Sequence, residues 1–524
     1  MSVNSSEPVA SEVECDARWV EGVTSAVERV FLGQLRHEGT FNELHAVKRP
    51  WWRFWERRER PRAEPVGAWG WNTWCGVHAL PYLVNYDIRQ TIRNTVDVAL
   101  SRPEPGTGLL PHAVLHEGGA FASRVEYRCY GGAHGEGYNL DNVLCWAKLA
   151  MEFFLATGDA EWFAPRFPVV ARCLDAVLTQ FLGKYNPALA WAGVEGDWTE
   201  CTDWEGDNAN VSVNLARALE LAVECGRLLL DLDLAGGHAD GVPSYLDYAA
   251  TREELIRSFN APVRDGGFWH EGGGGGGRVG WFVHGNDGKG GQVHGDRYFE
   301  STCNYFALLW GVATPEHERL VWNYCDAHRT PLELPLPVLT NHLPRTGARR
   351  EPYGRTVTNG DVWVALGGHA AAARLQAGHL VEGTEMYRAI VDHEAREGTL
   401  HNCVYQDGSV NADWDPEIGN YGGLFAPLVL GVLGLRPRAA GLEFNLAPLV
   451  GATRLDVDVH FSGRRYHLRA RWDPAWSPGR REASSGRAPL PPVRGDLSLG
   501  GESAAFDRPR FLLSRGGELA LTQT

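Results

Sequence analysis

From Trp69 to about Gly434, apolar residues recur three and four positions apart in runs separated by Gly-rich and Trp-rich polar loops. This is the period of helices that bury one face. The clearest runs are Leu140 to Ala156, Pro168 to Phe181, Ser212 to Leu232, Tyr305 to Val312, Val362 to Ala377 and Leu424 to Leu433. Long β alternation is absent over this span, so the pattern predicts paired helices in a mainly α toroid, with polar and aromatic loops building a pocket at one end. After Leu435 the period falls to two. Leu455, Val457, Val459 and Phe461 alternate with polar residues, Ser462 and Gly463 supply a turn, and Tyr466, Leu468, Ala470 and Trp472 alternate again, which predicts a β hairpin. Trp476 to Arg494 is rich in Pro, Ser, Gly and Arg and reads as a linker, and Phe511 to Leu521 reads as a final hairpin around Arg515-Gly516-Gly517. Three regions follow: an extension over 1–64 that packs on the rest, a helical domain over 65–440, and β hairpins over 441–524 with a linker near 474–497.

Three segments carry special composition. Gly272 to Gly277 is six consecutive glycines, a flexible insertion and a candidate lid because its backbone entropy is maximal. GNDGKGG, Gly285 to Gly291, lacks the spacing and the Ser or Thr of a phosphate-cradling loop and reads as a turn. Arg49 to Arg62 mixes aromatic and basic residues, which fits an amphipathic element laid over the main domain better than a nucleic-acid stacking surface.

A length of 524 residues allows two to four domains or one large one. The net charge of -15 disfavours a phosphate-tracking surface, so no nucleic-acid partner is expected. No apolar run approaches the ~18 residues of a membrane span. The polar, acidic start from Met1 to Glu14 does not read as a secretory signal, which points to the cytoplasm. The ten cysteines lack close pairs of the CxxC kind and read as reduced, buried thiols, with no metal and no cofactor implied. Trp is unusually abundant at 20 residues. Half of these fit core packing, and the others flank polar runs where an indole face could stack on a sugar ring. A carbohydrate is therefore the expected ligand, and the sequence leaves the oligomeric state open.

Two acidic clusters stand among Trp and Gly. Gly196-Asp197-Trp198-Thr199-Glu200-Cys201-Thr202-Asp203-Trp204 precedes a helix beginning near Ala209, and Asp413-Trp414-Asp415-Pro416-Glu417-Ile418-Gly419-Asn420-Tyr421-Gly422-Gly423 precedes another. Each also fits a helix cap with solvated acids. As a pair they fit glycosidic cleavage, which needs a proton donor and a group that activates the nucleophile, roughly 6.5–9.5 Å apart when a water must fit between them. Indoles around a carboxyl strip its water and raise its pKa, which suits one acid to donate. There is no GxSxG elbow, no HExxH and no GxGxxG opening a helix after a strand.

At these residues the chain resembles the six-hairpin glycosidases, in particular glycogen-debranching glucosidase domains, mannosylglycerate and glucosylglycerate hydrolases, and cellobiose-type phosphorylases. The resemblance covers roughly Pro65 to Pro448 as an ordered series of short motifs. Trp69-Gly70-Trp71-Asn72-Thr73 with Leu109-Leu110-Pro111-His112 is similar to the entry motifs, with Asn72 where the family has an acid in the innermost sugar subsite. Tyr138 to Asn142 with Thr157-Gly158-Asp159 resembles a sugar-binding segment, which implies that Asp141 binds hydroxyls. Trp281-Phe282 with Asn286-Asp287-Gly288, and Thr358-Asn359-Gly360-Asp361-Val362-Trp363, resemble two further blocks.

The resemblance implies an (α/α)6 barrel with a small C-terminal β appendage and an inverting glycoside hydrolase. Glu200 falls on the general acid, with Asp197 and Asp203 as alternatives, and Glu417 falls on the general base. Trp69, Trp71, Asn72, Asp141, Trp198, Asn359, Trp363 and Tyr421 are the implied substrate-binding residues. A glycoside phosphorylase, with phosphate as nucleophile, and a non-catalytic sugar-binding relative are the competing expectations.

Overall fold

The computed structural model describes residues 36–37, 40–41, 43–46, 63–83, 86–117, 120–128, 137–193, 197, 205–234, 245–272, 278–287, 292–293, 299–327, 362–397, 400–401, 403–404, 418–473, 490–515 and 519–523. Its helices are α1 (Gly70–Val77), α2 (Tyr86–Leu100), α3 (Leu140–Thr157), α4 (Phe167–Gln180), α5 (Ala209–Asp231), α6 (Tyr245–Phe259), α7 (Ser301–Leu309), α8 (Pro315–Ala327), α9 (Val364–Gln376), α10 (Leu380–Glu397) and the short α11 (Gly422–Ala426).

Six of these pack in a closed cycle: α1 on α3, α3 on α5, α5 on α7, α7 on α9, α9 on α11, and α11 back on α1. The other long helices lie outside. α4 packs across α3 and α5, α6 packs on α5, and α10 packs on α9. Inner helices have neighbours on every side, which is why α3 and α5 are buried along nearly their whole length while α10 keeps one exposed stripe. Closure of the cycle depends on glycine. A Cβ on Gly422 would fall 2.3 Å from the carbonyl oxygen of Cys75 in α1, and one on Gly368 would fall 2.4 Å from the Cα of Gly423. The Gly422-Gly423 pair of the last sequence block thus brings α11 against both neighbours.

Helix starts differ from the sequence pattern in instructive ways. Val362–Trp363 is a strand paired with Cys403–Val404, so α9 begins only at Val364. The run Leu424 to Leu433 is a single α turn followed by a π-helical turn, Pro427–Val432. Pro427 has no N–H to continue the α ladder, and the turn widens after it.

Short strands also stand ahead of the hairpins. Glu43–Ala46, Ala63–Trp69, Ala113–Glu117 and Ala120–Glu126 form a four-stranded antiparallel sheet that leads into α1. The strands are short, and the register shifts within the first and last of the three pairings, so no long alternation is visible. The sheet also crosses the boundary drawn at residue 64. Gly285–Asn286, read as part of a turn, is a strand between Gly206–Asn208 and Gln292–Val293. Arg49 to Arg62 and residues 273–277 lie outside the described residues.

The C-terminal region holds two four-stranded antiparallel sheets. One runs Arg454–Phe461, Arg464–Trp472, Val493–Leu499, Glu502–Phe506. The other runs Arg436–Pro437, Gly441–Asn445, Arg510–Ser514, Leu521–Gln523. Val493–Leu499 begins inside the stretch read as linker; its alternation is weak because Ser, Asp and Gly fill three of its seven positions. Phe506 stacks on Phe511 at 4.5 Å and Phe511 on Phe444 at 4.7 Å, joining the sheets face to face.

Candidate active site

The inner helices share a polarity. Their C-terminal ends are sealed by the β region. Arg515 donates to the carbonyl of Leu155 in α3 at 2.6 Å, Arg436 to that of Leu309 in α7 at 3.0 Å, and Gln376 of α9 to that of Asn445 at 2.9 Å. Their N-terminal ends form the opposite rim, where the first turns leave N–H groups and positive dipole ends that favour acidic side chains.

That rim carries the residues singled out in the sequence. Trp69 is the extended residue before α1, and Trp71 and Asn72 lie in its first turn. Asp141 lies in the first turn of α3. Trp363 precedes α9 and Tyr421 precedes α11. Asp197 stands in the loop ahead of α5. Trp198, Glu200, Asp203, Asn359 and Glu417 lie outside the described residues.

Side-chain hydrogen bonds tie neighbouring starts together. The backbone N–H of Trp71 donates to Oδ1 of Asn142 at 2.6 Å, and Nδ2 of Asn142 donates to Oδ1 of Asn139 at 2.8 Å. Asn139 caps α3 and, through Nδ2, donates to the carbonyl oxygen of Asp197 at 2.9 Å. The Asp197 carboxylate is 0% exposed. Its Oδ2 accepts from Nδ2 of Asn208 at 2.8 Å and of Asn210 at 3.4 Å, and it pairs with Nε2 of His284 at 2.5 Å.

Burial by itself would push a proton off His284. The Asp197 charge and hydrogen bond outweigh that, helped by Glu300 and Asp141, and hold the imidazole above its ordinary 6.5. The pairing thus favours the protonated form of the ring. The α5 cap is supplied by Asn208, which accepts from the N–H of Val211, so the Asp197 carboxylate is not spent on capping.

Among the candidate sugar contacts, Trp71 and Trp363 are 1% and 4% exposed and pack edge to face at 6.0 Å, and Tyr421 is fully buried. These three brace the floor of the rim. Trp69 and Asn72 are half-buried and present at its surface. Asn72 also abuts the last acidic block: a Cβ on Gly419 would lie 3.3 Å from its Cα.

Thr157-Gly158-Asp159 sits at the far end of α3. Gly158 takes φ 71° to end the helix, and Asp159 accepts from the N–H of Trp162 and pairs with Arg93 at 3.1 Å. Its part is to end α3 and to cap the one-turn helix Ala160–Phe163.

Below the rim the sequence reading missed a polar lumen. Lys148, fully buried on α3, donates to Oδ1 of Asn214 and lies 3.5 Å from the Trp74 ring. Nε1 of Trp74 donates to Glu152, which pairs with Arg217 at 3.0 Å, and Arg217 pairs with Glu220, which reaches Arg438 of the β region at 2.7 Å. His78 and His369 stack at 5.3 Å, each with Nδ1 on the carbonyl four residues back. Burial brings both down to about 3, so they are neutral. The signal for this layer is Lys148 and Glu152, four apart in a stretch, Val143 to Ala156, that is otherwise apolar. His284 gave no comparable signal, because its partner is 87 residues away, and Asn208 and Asn210 read as ordinary polar residues of a helix start.

Cys75, Cys145, Cys173, Cys225, Cys303 and Cys325 are free and buried. Among the described residues, no group of three or more His, Cys, Asp or Glu is arranged to hold a metal ion, and no helix is long and apolar enough to cross a membrane.

No protein-family model matches the sequence, and no curated protein matches it. Among solved structures the chain is similar to a GH78 family rhamnosidase of Bacillus sp. GL1, with TM-score 0.53 and 13% identity over 88% of this chain and 39% of that one. It is also similar to the GH63 mannosylglycerate hydrolase from Thermus thermophilus in complex with glucose (TM-score 0.47, 11% identity, 78% of this chain and 98% of that one). A third is a bacterial glucoamylase complexed with acarbose (TM-score 0.46, 14% identity, 75% and 52%). The chain thus spans 39% of the rhamnosidase's length. These neighbours have six-hairpin glycosidase-type folds. The rhamnosidase likeness carries the fold to this chain, and at 13% identity it carries no more than the fold.

Proposed function

We propose that this chain is an inverting glycoside hydrolase acting on an oligosaccharide or small glycoside, built on an (α/α)6 barrel whose inner ring is the cycle of α1, α3, α5, α7, α9 and α11. One observation carries the reading: two loops, from acidic clusters more than 200 residues apart in sequence, are anchored on the same rim. Asp197, three residues before Glu200, is bonded to the starts of α3 and α5. Gly419, two residues after Glu417, lies against Asn72 at the start of α1. Such neighbouring anchor points support a reading in which two carboxylates address one bond from opposite sides.

In this mechanism Glu200 gives its proton to the departing glycosidic oxygen as the bond to the anomeric carbon breaks. Glu417 takes a proton from a water that attacks the opposite face. Asp141, Asn72, Trp69, Trp198 and Asn359 bind the sugar. The shared fold with the rhamnosidase supports the class of reaction without naming the sugar.

The test is a panel of α- and β-linked disaccharides, glucosylglycerate and maltooligosaccharides, assayed with and without phosphate. Phosphate-independent release of free sugar is expected. Turnover only with phosphate, giving a sugar 1-phosphate, would make the chain a phosphorylase, and binding without turnover would make it a sugar-binding protein.

A further inference from the structure

A carboxylate sealed from solvent is costly unless donors surround it, and Asp197 gathers three on one oxygen from separate parts of the chain. Asn208 comes from the strand Gly206–Asn208, Asn210 from the first turn of α5, and His284 from the segment that follows the strand Val279–Phe282. The backbone of the same residue is held by Asn139 of a fourth segment, which also caps the helix bearing Asp141. None of this is needed to start α5, which Asn208 caps. Three residues of chain reach at most about 11 Å, so fixing Asp197 confines where Glu200 can stand.

We propose that Asp197 and His284 are positioning residues, which with Asn139 fix Asp197 on the starts of α3 and α5, the point from which the chain runs three residues on to Glu200, and so act on the proton donor. The inference rests on the reading of Glu200 as that donor. Asp197 touches no substrate in this scheme. The charged groups facing His284 are Asp197, Glu300 and Asp141, and of these Asp197 is bonded to its Nε2.

The experiment compares each variant on the natural glycoside and on the glycosyl fluoride of the same sugar. The glycoside needs a proton on its leaving oxygen, whereas fluoride departs as an anion with little need of one. Glu200→Gln sets the reference: a loss of about 100-fold or more on the glycoside and less than about 10-fold on the fluoride. Asp197→Asn is expected to show the same selectivity, with about 10- to 100-fold lost from kcat on the glycoside and KM little changed. His284→Gln keeps an N–H toward Asp197 and should recover most of what His284→Leu loses. Asn139→Ala, which removes the brace on the Asp197 backbone together with the α3 cap and the acceptor for Asn142, carries the test through its selectivity between the two substrates if Asp197→Asn does not fold.

Equal losses on both substrates for Asp197→Asn, beside a selective Glu200→Gln, would reduce Asp197 to a structural residue and overturn the inference alone. Wild-type behaviour of Asp197→Asn and Asn139→Ala would do the same. A selective Asp197→Asn with an unselective Glu200→Gln would make Asp197 itself the donor and overturn both readings.

Discussion

The two ends of the inner helices are built differently. At the N-terminal rim, neighbouring helix starts are joined by side chains: Asn142 to Trp71, Asn139 to Asp197, His284 to Asp197. At the C-terminal end, backbone carbonyls dominate the joints. Ser462 donates its N–H to Ala156, Ala447 to Val432, and Arg515 spreads its guanidinium over the carbonyls of Leu155, Arg438 and Ala439. Joints onto backbone carbonyls do not depend on the side chains of the helix they seal and mainly hold the helices together. Side-chain joints fix particular residues in particular places, which chemistry requires. On the proposed function the contrast puts activity at one end and stability at the other, and each prediction below tries to break that division.

The largest effect belongs to the rim. Glu417→Gln should lower kcat by about 10²- to 10⁴-fold without lowering Tm, measured by steady-state kinetics and thermal unfolding. A large fall in Tm would mean that the loop is structural. Between the two ends lies the buried Glu152–Arg217 pair. Arg217→Met leaves the carboxylates of Glu152 and Glu220 buried without that partner, and should cost about 3–5 kcal/mol in denaturant unfolding.

At the far end, Arg515→Ala removes four hydrogen bonds to the α3 terminus and its neighbours. It should cost about 2–3 kcal/mol while leaving kcat of the folded protein unchanged. A change in kcat would show that the ends are coupled through the lumen.

The smallest effects are in pH. His78 and His369 have folded pKa values near 3, far below 6.5, so the unfolded state binds more protons between those values. Stability therefore falls as pH drops from 6.5 toward 3, and His369→Gln should flatten that fall by about 2 kcal/mol. His284 acts oppositely. Its folded pKa is raised, so its pairing with Asp197 contributes fully below 6.5 and is lost as pH rises through the folded value. His284→Gln should flatten the alkaline side, read from unfolding at a series of pH values.

What the sequence disclosed follows the same division. Apolar periodicity located α3, α4 and α5 to within a few residues, because each buries a continuous face, and the alternation at 455–472 marked a strand pair. It missed α1, whose Trp, Thr and Gly positions read as a binding motif, and the four-stranded sheet, whose short strands are shifted in register. At the site, Asp197 was singled out for its indole neighbours, yet its partners come from positions 139, 208, 210 and 284, which only the folded ring brings together. Trp71 and Trp363, expected on the sugar, are packed against each other. Abundant Trp does not say which face is free.

The most direct test of the account is the anomeric form of the first sugar released, followed by proton NMR before mutarotation and without phosphate. Inversion of configuration is the predicted result, since two carboxylates on opposite sides of the bond act through a water. Retention would contradict it, because one carboxylate would then have to form a covalent glycosyl intermediate.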